Sequence, residues 1–151
     1  MTMTLSSPEF HAGSRLPVRF TCEGADVSPP LAWSGVPAGT RSLALVCADP
    51  DAPSGTWYHW AIYGLAPEIA GLAAGQHAGH SFHEAVNDFG RPGYGGACPP
   101  HGHGLHHYRF RLYALGVEHL DLAARPRCRD VEHAAETHAL ARADLVATYS
   151  R

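Results

Sequence analysis

Two short segments of this 151-residue chain hold most of the side chains that could do chemistry. The first is Asp49-Pro-Asp-Ala-Pro53, with Trp57-Tyr-His-Trp60 shortly after it. The second begins at Gly93 and ends at Tyr108, and it contains a glycine-rich turn, two consecutive prolines and four histidines. Carboxylates and imidazoles together can bind a small polar ligand or transfer a proton. Either use requires that the fold bring the two segments together.

The first segment follows a predicted β-strand. Residues 42–48 form a continuous apolar run, short enough for a strand that is buried on both faces. Because side chains alternate between the two faces of a strand, Asp49 continues one face at the strand end. Asp51 lies two residues further on in the same sense. In the next strand, alternation places His59 on the face opposite to Trp60, together with Trp57 and Ala61.

The second segment leads into a strand that begins at His106. His106, Tyr108 and Phe110 share one face, whereas His107 and Arg109 share the other. The aromatic neighbours mark the first face as the inward one. We therefore expect His106 to be buried and His107 to be solvated.

The remaining pattern favours a β-rich fold in one domain. Twelve prolines and sixteen glycines separate short apolar runs, which is typical of a sandwich or barrel. Residues 16–20 are predicted to form a further strand, and residues 66–90 a long surface loop. A helix is predicted over residues 130–141 with Asp130 as its N-cap, followed by a last strand at residues 144–149. The expected fold is an all-β-dominated antiparallel β-sandwich with one or two short helices.

Composition excludes several functions. The formal net charge is −3 and all eleven basic residues are arginines, so neither a basic face for nucleic acid nor a lysine-dependent phosphate loop is expected. No apolar run reaches the roughly 20 residues that span a bilayer, so no stable membrane insertion is expected. The N-terminus lacks the basic and apolar regions of a secretory signal, which predicts a cytoplasmic protein.

The four cysteines show no CxxC spacing, and cytosolic thiols are normally reduced. If a disulfide does form, Cys22 and Cys98 are the pair to test.

Motifs along nearly the whole chain resemble those of the phosphatidylethanolamine-binding proteins, most closely the short bacterial Raf-kinase-inhibitor-like branch. Each motif alone is weak, but their order is specific. The matching motifs are Thr21-Cys-Glu-Gly24, Ser28-Pro-Pro-Leu-Ala-Trp33, Asp49-Pro-Asp-Ala-Pro53, His59-Trp60, Asn87-Asp-Phe-Gly90, Gly93-Tyr-Gly-Gly96, Cys98-Pro-Pro100, Gly104-Leu-His-His-Tyr108 and Thr148-Tyr149.

The resemblance implies two antiparallel sheets with a pocket at one end that holds phosphate-like anions or a phosphorylated headgroup. The expected ligand-binding residues are Asp49, Asp51, His59, Cys98, Pro100, His106 and Tyr108. The backbone of residues 96–98 is expected to close one wall. Ala97 departs from the pattern, since bacterial members usually carry proline there, and the loop loses that restraint.

Such a pocket is physically reasonable. A glycine-rich turn can direct consecutive backbone N–H groups at an anion, and histidines add further donors. The Asp49 carboxylate would repel an anion, so we assign it to orienting either His59 or His106.

The expected function is therefore that of a non-enzymatic binding or regulatory protein, with a protein kinase or a protease among its potential partners. The alternative is a small hydrolase that acts on phosphoesters through the Asp/His pocket. Ser54, His59 and Asp49 could be drawn as a triad, but there is no GxSxG elbow. The resemblance also allows a homodimer.

Histidine-rich composition raises the question of metal binding. Seven of the twelve histidines lie between His77 and His107. Their spacing does not match that of helical zinc sites, and no cysteines stand at ligand spacing. We expect no functional metal site and no cofactor.

Overall fold

The computed structural model describes residues 2–77, 79 and 81–151, so Met1, Ala78 and His80 lie outside the described residues. The elements in chain order are β1 (Thr4–Ser6), a 3₁₀ turn (Val18–Phe20), β2 (Leu31–Ser34), β3 (Ser42–Asp49), β4 (Trp57–Leu65), β5 (Gly71–Leu72), β6 (His83–Glu84), β7 (His106–Leu115), α1 (Cys128–His138) and β8 (Ala139–Tyr149).

The strands form two antiparallel sheets. Five strands pair in the order β6-β4-β3-β7-β8, and three pair in the order β1-β2-β5. With one α-helix in the described part of the chain, this architecture confirms the predicted antiparallel β-sandwich. Among the described residues, no helix is long and apolar enough to cross a membrane.

The central strand β3 is buried along its whole length because the five-stranded sheet is covered on both faces. On one face, Leu45 and Phe110 pack with Trp33 from the smaller sheet. On the other face, Val131 and Ala135 of α1 pack against the sheet. This confirms the prediction that residues 42–48 form a strand with two buried faces.

The strand predicted at residues 16–20 is wrong. Val18–Phe20 forms a 3₁₀ turn, in which the Phe20 N–H donates to the Pro17 carbonyl and the Thr21 N–H donates to the Val18 carbonyl. Leu16 and Phe20 are buried, as an alternating strand would require, but Val18 is 46% exposed. Alternation of apolar residues fits a tight turn as well as a strand when only three residues are involved.

The helix begins earlier than predicted, at Cys128. Asp130 is not its N-cap. It occupies the third helical position, where its carboxylate accepts a hydrogen bond of 2.9 Å from the backbone N–H of the actual N-cap, Arg127. An aspartate is favourable at either position, which is why the sequence misplaced the boundary. The helix ends at His138, and the last strand starts directly at Ala139 rather than at residue 144.

The described residues of segment 66–90 include regular structure that the predicted surface loop lacked. They contain β5 and β6, and the side chains of Phe82, Ala85 and Asn87 are buried. Each of these strands is two residues long, too short to produce a periodic pattern in the sequence. Ala78 and His80, within the same segment, lie outside the described residues.

Candidate anion-binding site

The ends of β3, β4 and β7 enclose a cavity of about 220 Å³. This is smaller than the roughly 300–1,000 Å³ of pockets for drug-sized ligands, so it suits a group of the size of a phosphoryl headgroup. The lining residues are Asp49, Ala52, Pro53, Ser54, Trp57, His59, Phe89, Cys98, Pro99, Pro100, His106 and Tyr108. Six of the seven predicted ligand-binding residues therefore meet at one place.

Asp49 and His106 form a buried pair in this cavity. The Nδ1–H group of His106 donates to Oδ2 of Asp49 over 2.6 Å, and both side chains are at most 5% exposed. β3 and β7 are neighbouring strands, and their carboxyl and amino ends lie at the same edge of the sheet, which brings the two residues together. Of the two histidines that Asp49 could orient, the structure therefore selects His106.

His103 approaches the other nitrogen of the same ring. Its Nδ1 lies 2.6 Å from Nε2 of His106, and the two ring centroids are 4.8 Å apart. His103 itself is exposed, in the turn that precedes β7. A continuous line of hydrogen bonds therefore connects buried Asp49 with the surface.

His59 owes its position to a β-bulge. Cys47 pairs with Trp60 and Ala48 pairs with Tyr58, so His59 is an extra residue in β4 without a partner on β3. Both His59 and Trp60 consequently lie on the inner side of the sheet, and Ala61 lies on the helix side. The predicted grouping of His59 with Ala61 and opposite Trp60 is wrong, because simple alternation does not continue through a bulge.

A hydrogen bond to the backbone determines which ring nitrogen of His59 carries the proton. Its Nδ1–H group donates to the Gly95 carbonyl over 2.7 Å, because a carbonyl can only accept. Burial lowers the pKa of His59 from its ordinary value of 6.5, in spite of this hydrogen bond and of nearby Asp49, which both raise it. A neutral His59 therefore presents the lone pair of Nε2, which accepts rather than donates.

Tyr108 supplies a donor beside the two histidines. Its ring contacts the His59 ring edge-on at 5.2 Å and is stacked at 6.5 Å from the His106 ring. Burial first, and the neighbouring Asp49 charge second, raise the pKa of the Tyr108 hydroxyl, so it stays protonated. This hydroxyl has no hydrogen-bond partner among the described residues and can donate to a ligand.

The family model described as phosphatidylethanolamine-binding protein matches residues 6–150. The chain belongs to the phosphatidylethanolamine-binding protein family. A UPF0098 protein of Methanothermobacter thermautotrophicus is 45% identical over 154 residues and is covered to 99%, as is this chain. The crystal structure of Escherichia coli YbcL, described as a new member of the mammalian PEBP family, has a TM-score of 0.93 at 32% identity, with 100% of this chain and 99% of that chain covered.

A third relative differs in length. The putative lipoprotein LppC of Mycobacterium tuberculosis is 50% identical over 115 residues, which cover 76% of this chain and 56% of the relative. Family membership confirms the resemblance that the ordered motifs indicated.

One residue at a family pocket position lies outside the cavity. The Asp51 carboxylate turns outward and accepts two hydrogen bonds of 2.8 Å from His107, one from its backbone N–H and one from its ring. The His107 side chain is 50% exposed and that of Asp51 is 41% exposed. The side-chain hydrogen bond from His107 is the main cause that lowers the pKa of Asp51. β3 ends at Asp49, so strand alternation no longer applies two residues later.

The glycine-rich turn does not offer its amides to the cavity as predicted. The Gly95 N–H donates to the His59 carbonyl, and the Gly96 N–H donates to Oδ1 of Asp26 over 2.8 Å. A Cβ atom on Gly96 would clash with the Asp26 carboxylate and would lie 2.6 Å from the Phe20 carbonyl oxygen. Glycine is needed here for close packing against the segment before it, and the expected row of anion-binding amides is wrong for these two residues.

A disulfide between Cys22 and Cys98 fixes the same wall, with the Cα atoms 5.4 Å apart. Ala97, which directly precedes Cys98, is buried, and its carbonyl accepts a hydrogen bond from the Cys22 N–H. The disulfide and this hydrogen bond restrain the loop where the family's usual proline is absent. Cys22 and Cys98, which were expected to be reduced, form a disulfide. Cys47 and Cys128 are free and buried.

Phe89 is a pocket residue that strand alternation missed. Its ring stands edge-on to Trp57 at 5.4 Å and to His59 at 5.6 Å, yet it is 42% exposed. The buried amide of Asn87 positions it, since Oδ1 accepts from the Phe89 N–H and Nδ2 donates to the Gly93 carbonyl. The family motif Asn87-Asp-Phe-Gly90 contains Phe89, but strand alternation cannot place it because the motif lies in a loop.

No group of three or more His, Cys, Asp or Glu side chains in the described part of the chain is arranged to bind a metal ion.

Proposed function

We propose that this protein is a non-enzymatic binding protein whose pocket takes a small phosphate-like anion or a phosphorylated headgroup. The observation that carries the proposal is the buried His106 ring, which Asp49 fixes at 2.6 Å inside a cavity of about 220 Å³. A fixed imidazole and the Tyr108 hydroxyl are the donors that an anion would use in this cavity.

Electrostatics impose a condition on binding. His106 already donates its Nδ1–H to Asp49, so it can donate to an anion only through a protonated Nε2. His59 is neutral and directs an acceptor into the cavity unless it also takes up a proton. Because the Asp49 carboxylate lines the same cavity, we infer that an anion binds when Nε2 of His106 or of His59 carries a proton.

The second candidate is a phosphoester hydrolase. The Asp49–His106 pair has the form of a general base oriented by a carboxylate, which is the observation in favour of it. Ser54 is not positioned as a nucleophile for this pair, because its hydroxyl makes no hydrogen bond to His59 or His106 within the described residues. We therefore favour binding.

A ³¹P NMR titration of phosphorylethanolamine with the protein separates the two candidates. Binding without hydrolysis predicts a saturable shift or broadening of the ligand signal and no release of inorganic phosphate over hours. Release of phosphate that His106→Ala abolishes would establish the hydrolase instead. A ligand signal unaffected by the protein would remove both.

Inhibition of a protein kinase or a protease, and formation of a homodimer, stay predictions that follow from the family alone. They are tested by enzyme assays with candidate partners and by light scattering.

The compartment is a separate prediction. A cytoplasmic location remains a proposal, and because disulfides persist mainly in oxidising compartments, the Cys22–Cys98 bond weighs against it. Alkylation of thiols in freshly lysed cells, followed by mass spectrometry, decides it: modified Cys22 and Cys98 indicate a reducing compartment.

A further inference from the structure

Both ring nitrogens of His106 are occupied in the structure. Nδ1 donates to Asp49, and Nε2 lies at hydrogen-bonding distance from Nδ1 of His103. The two nitrogens of this contact share one proton, so Nε2 of His106 either accepts from or donates to Nδ1 of His103. The pocket histidine therefore has no free nitrogen for a ligand while His103 stays in place.

The two contacts differ in how firmly they are held. Asp49 lies at the end of a central strand and is buried, and its other oxygen accepts from the Asp51 N–H. His103 is exposed, in a short turn between Gly102 and Gly104, both of which have positive φ angles of 72° and 97°. The hydrogen bond to His106 is the one that its side chain makes within the described residues. His103 can leave, and Asp49 cannot.

We propose that His103 is a gate on the pocket, whose imidazole occupies Nε2 of His106 and must swing away before an anion can bind there. This inference rests on the proposed function, since it concerns access to the same histidine. It adds a residue that determines affinity from outside the cavity lining, and it predicts that part of the binding free energy is spent on breaking the His103–His106 hydrogen bond.

Inorganic phosphate titrated calorimetrically into three proteins tests the gate. Removal of the competing imidazole by His103→Ala should tighten phosphate binding by roughly two- to tenfold, the effect of one net hydrogen bond. His101→Ala is the matched control, because His101 is exposed in the same turn and has no side-chain hydrogen bond in the described part of the chain. It should bind like the wild type. Weaker binding by His103→Ala would make His103 a ligand donor and would overturn the gate, as would unchanged binding.

A second measurement needs no ligand, and so separates failure of the gate from failure of the proposed function. Diethyl pyrocarbonate modifies unprotonated imidazole nitrogens, and peptide mass spectrometry gives the rate at each histidine. His103→Ala should accelerate modification of His106, with His101→Ala and the wild type equal. An equal rate in all three proteins overturns the gate whether or not phosphate binds. Absence of phosphate binding with an accelerated rate would retain the gate and reject phosphate as a probe.

Discussion

Asp49 combines two opposing effects at one residue. Its carboxylate adds negative charge to a cavity proposed for anions, yet it fixes the ring that would bind them. Desolvation makes an unpaired buried charge costly, so the hydrogen bond from His106 is also what makes the carboxylate tolerable there. Which effect dominates can be measured.

We predict that Asp49→Ala weakens phosphate binding by about 1–3 kcal/mol, because His106 loses the acceptor that orients it. Asp51→Ala is the matched control, since it removes the carboxylate of an Asp–His pair outside the cavity. Calorimetric titration should show control binding equal to that of the wild type. Tighter binding by Asp49→Ala would mean that charge repulsion outweighs orientation.

The lowered pKa of His59 implies that the free energy of unfolding depends on pH. Burial lowers its pKa in the folded state below the ordinary value of 6.5, so the unfolded chain binds the proton more readily. The free energy of unfolding should therefore fall as the pH decreases from 7 to 5.5, by at most about 1.4 kcal/mol per pH unit for this one group. The lowered pKa values of Glu136 and Asp144 act only at lower pH, through and below the ordinary carboxyl range.

Urea denaturation at pH 7 and pH 5.5 checks this prediction. His59→Gln should show a smaller loss of stability between the two pH values than the wild type. His119→Gln is the control, because the His119 side chain is 86% exposed. Identical losses in all three proteins would show that His59 does not contribute.

At the scale of elements, regular strands were predictable and the interruption was not. Alternation along β7 correctly places His106 and Phe110 inside. His107 is more exposed than His106, and Arg109 is more exposed than Phe110. The bulge at His59 leaves no trace in residue types, because it depends on the register with β3. The sequence therefore assigned His59 to the site through the family motif while misassigning its neighbours.

Close packing at Gly96 makes the pocket wall sensitive to substitution. Gly96→Ala places a methyl group against the Phe20 carbonyl and the Asp26 carboxylate, so the wall must move. We expect a loss of about 1–3 kcal/mol in the free energy of unfolding together with weaker phosphate binding. Gly79→Ala, where a Cβ meets no atom of the described residues within 4 Å, is the control for both measurements. A Gly96→Ala protein that is as stable as the control and binds as well would contradict the described wall.

For the whole molecule, the Cys22–Cys98 disulfide is the main long-range covalent restraint that the sequence left open. It joins residues 76 positions apart, and it connects the segment after the 3₁₀ turn with the pocket wall. Spacing alone cannot reveal such a bond, because two cysteines far apart in sequence become neighbours only through the fold. By contrast, the two sheets followed from proline, glycine and apolar runs spread over the chain.

Reduction of this disulfide should lower the free energy of unfolding by about 2–4 kcal/mol, since it releases a long loop in the unfolded chain. Thermal denaturation with and without a reductant measures the effect. A Cys22→Ala/Cys98→Ala protein is the control, in which the reductant should change nothing because Cys47 and Cys128 are already free. A wild-type midpoint that does not respond to reduction would mean that the bond does not form in solution.

The role of His106 is tested by calorimetric titration of inorganic phosphate into the wild type, His106→Ala and His107→Ala. We predict millimolar to micromolar affinity for the wild type, about 4–8 kcal/mol. Loss of the buried donor in His106→Ala should weaken binding by about 1.5–3 kcal/mol, roughly ten- to hundredfold. Loss of the outward His107 should leave it unchanged. Equal affinities for the wild type and His106→Ala would show that His106 is not the anion-binding group of this pocket.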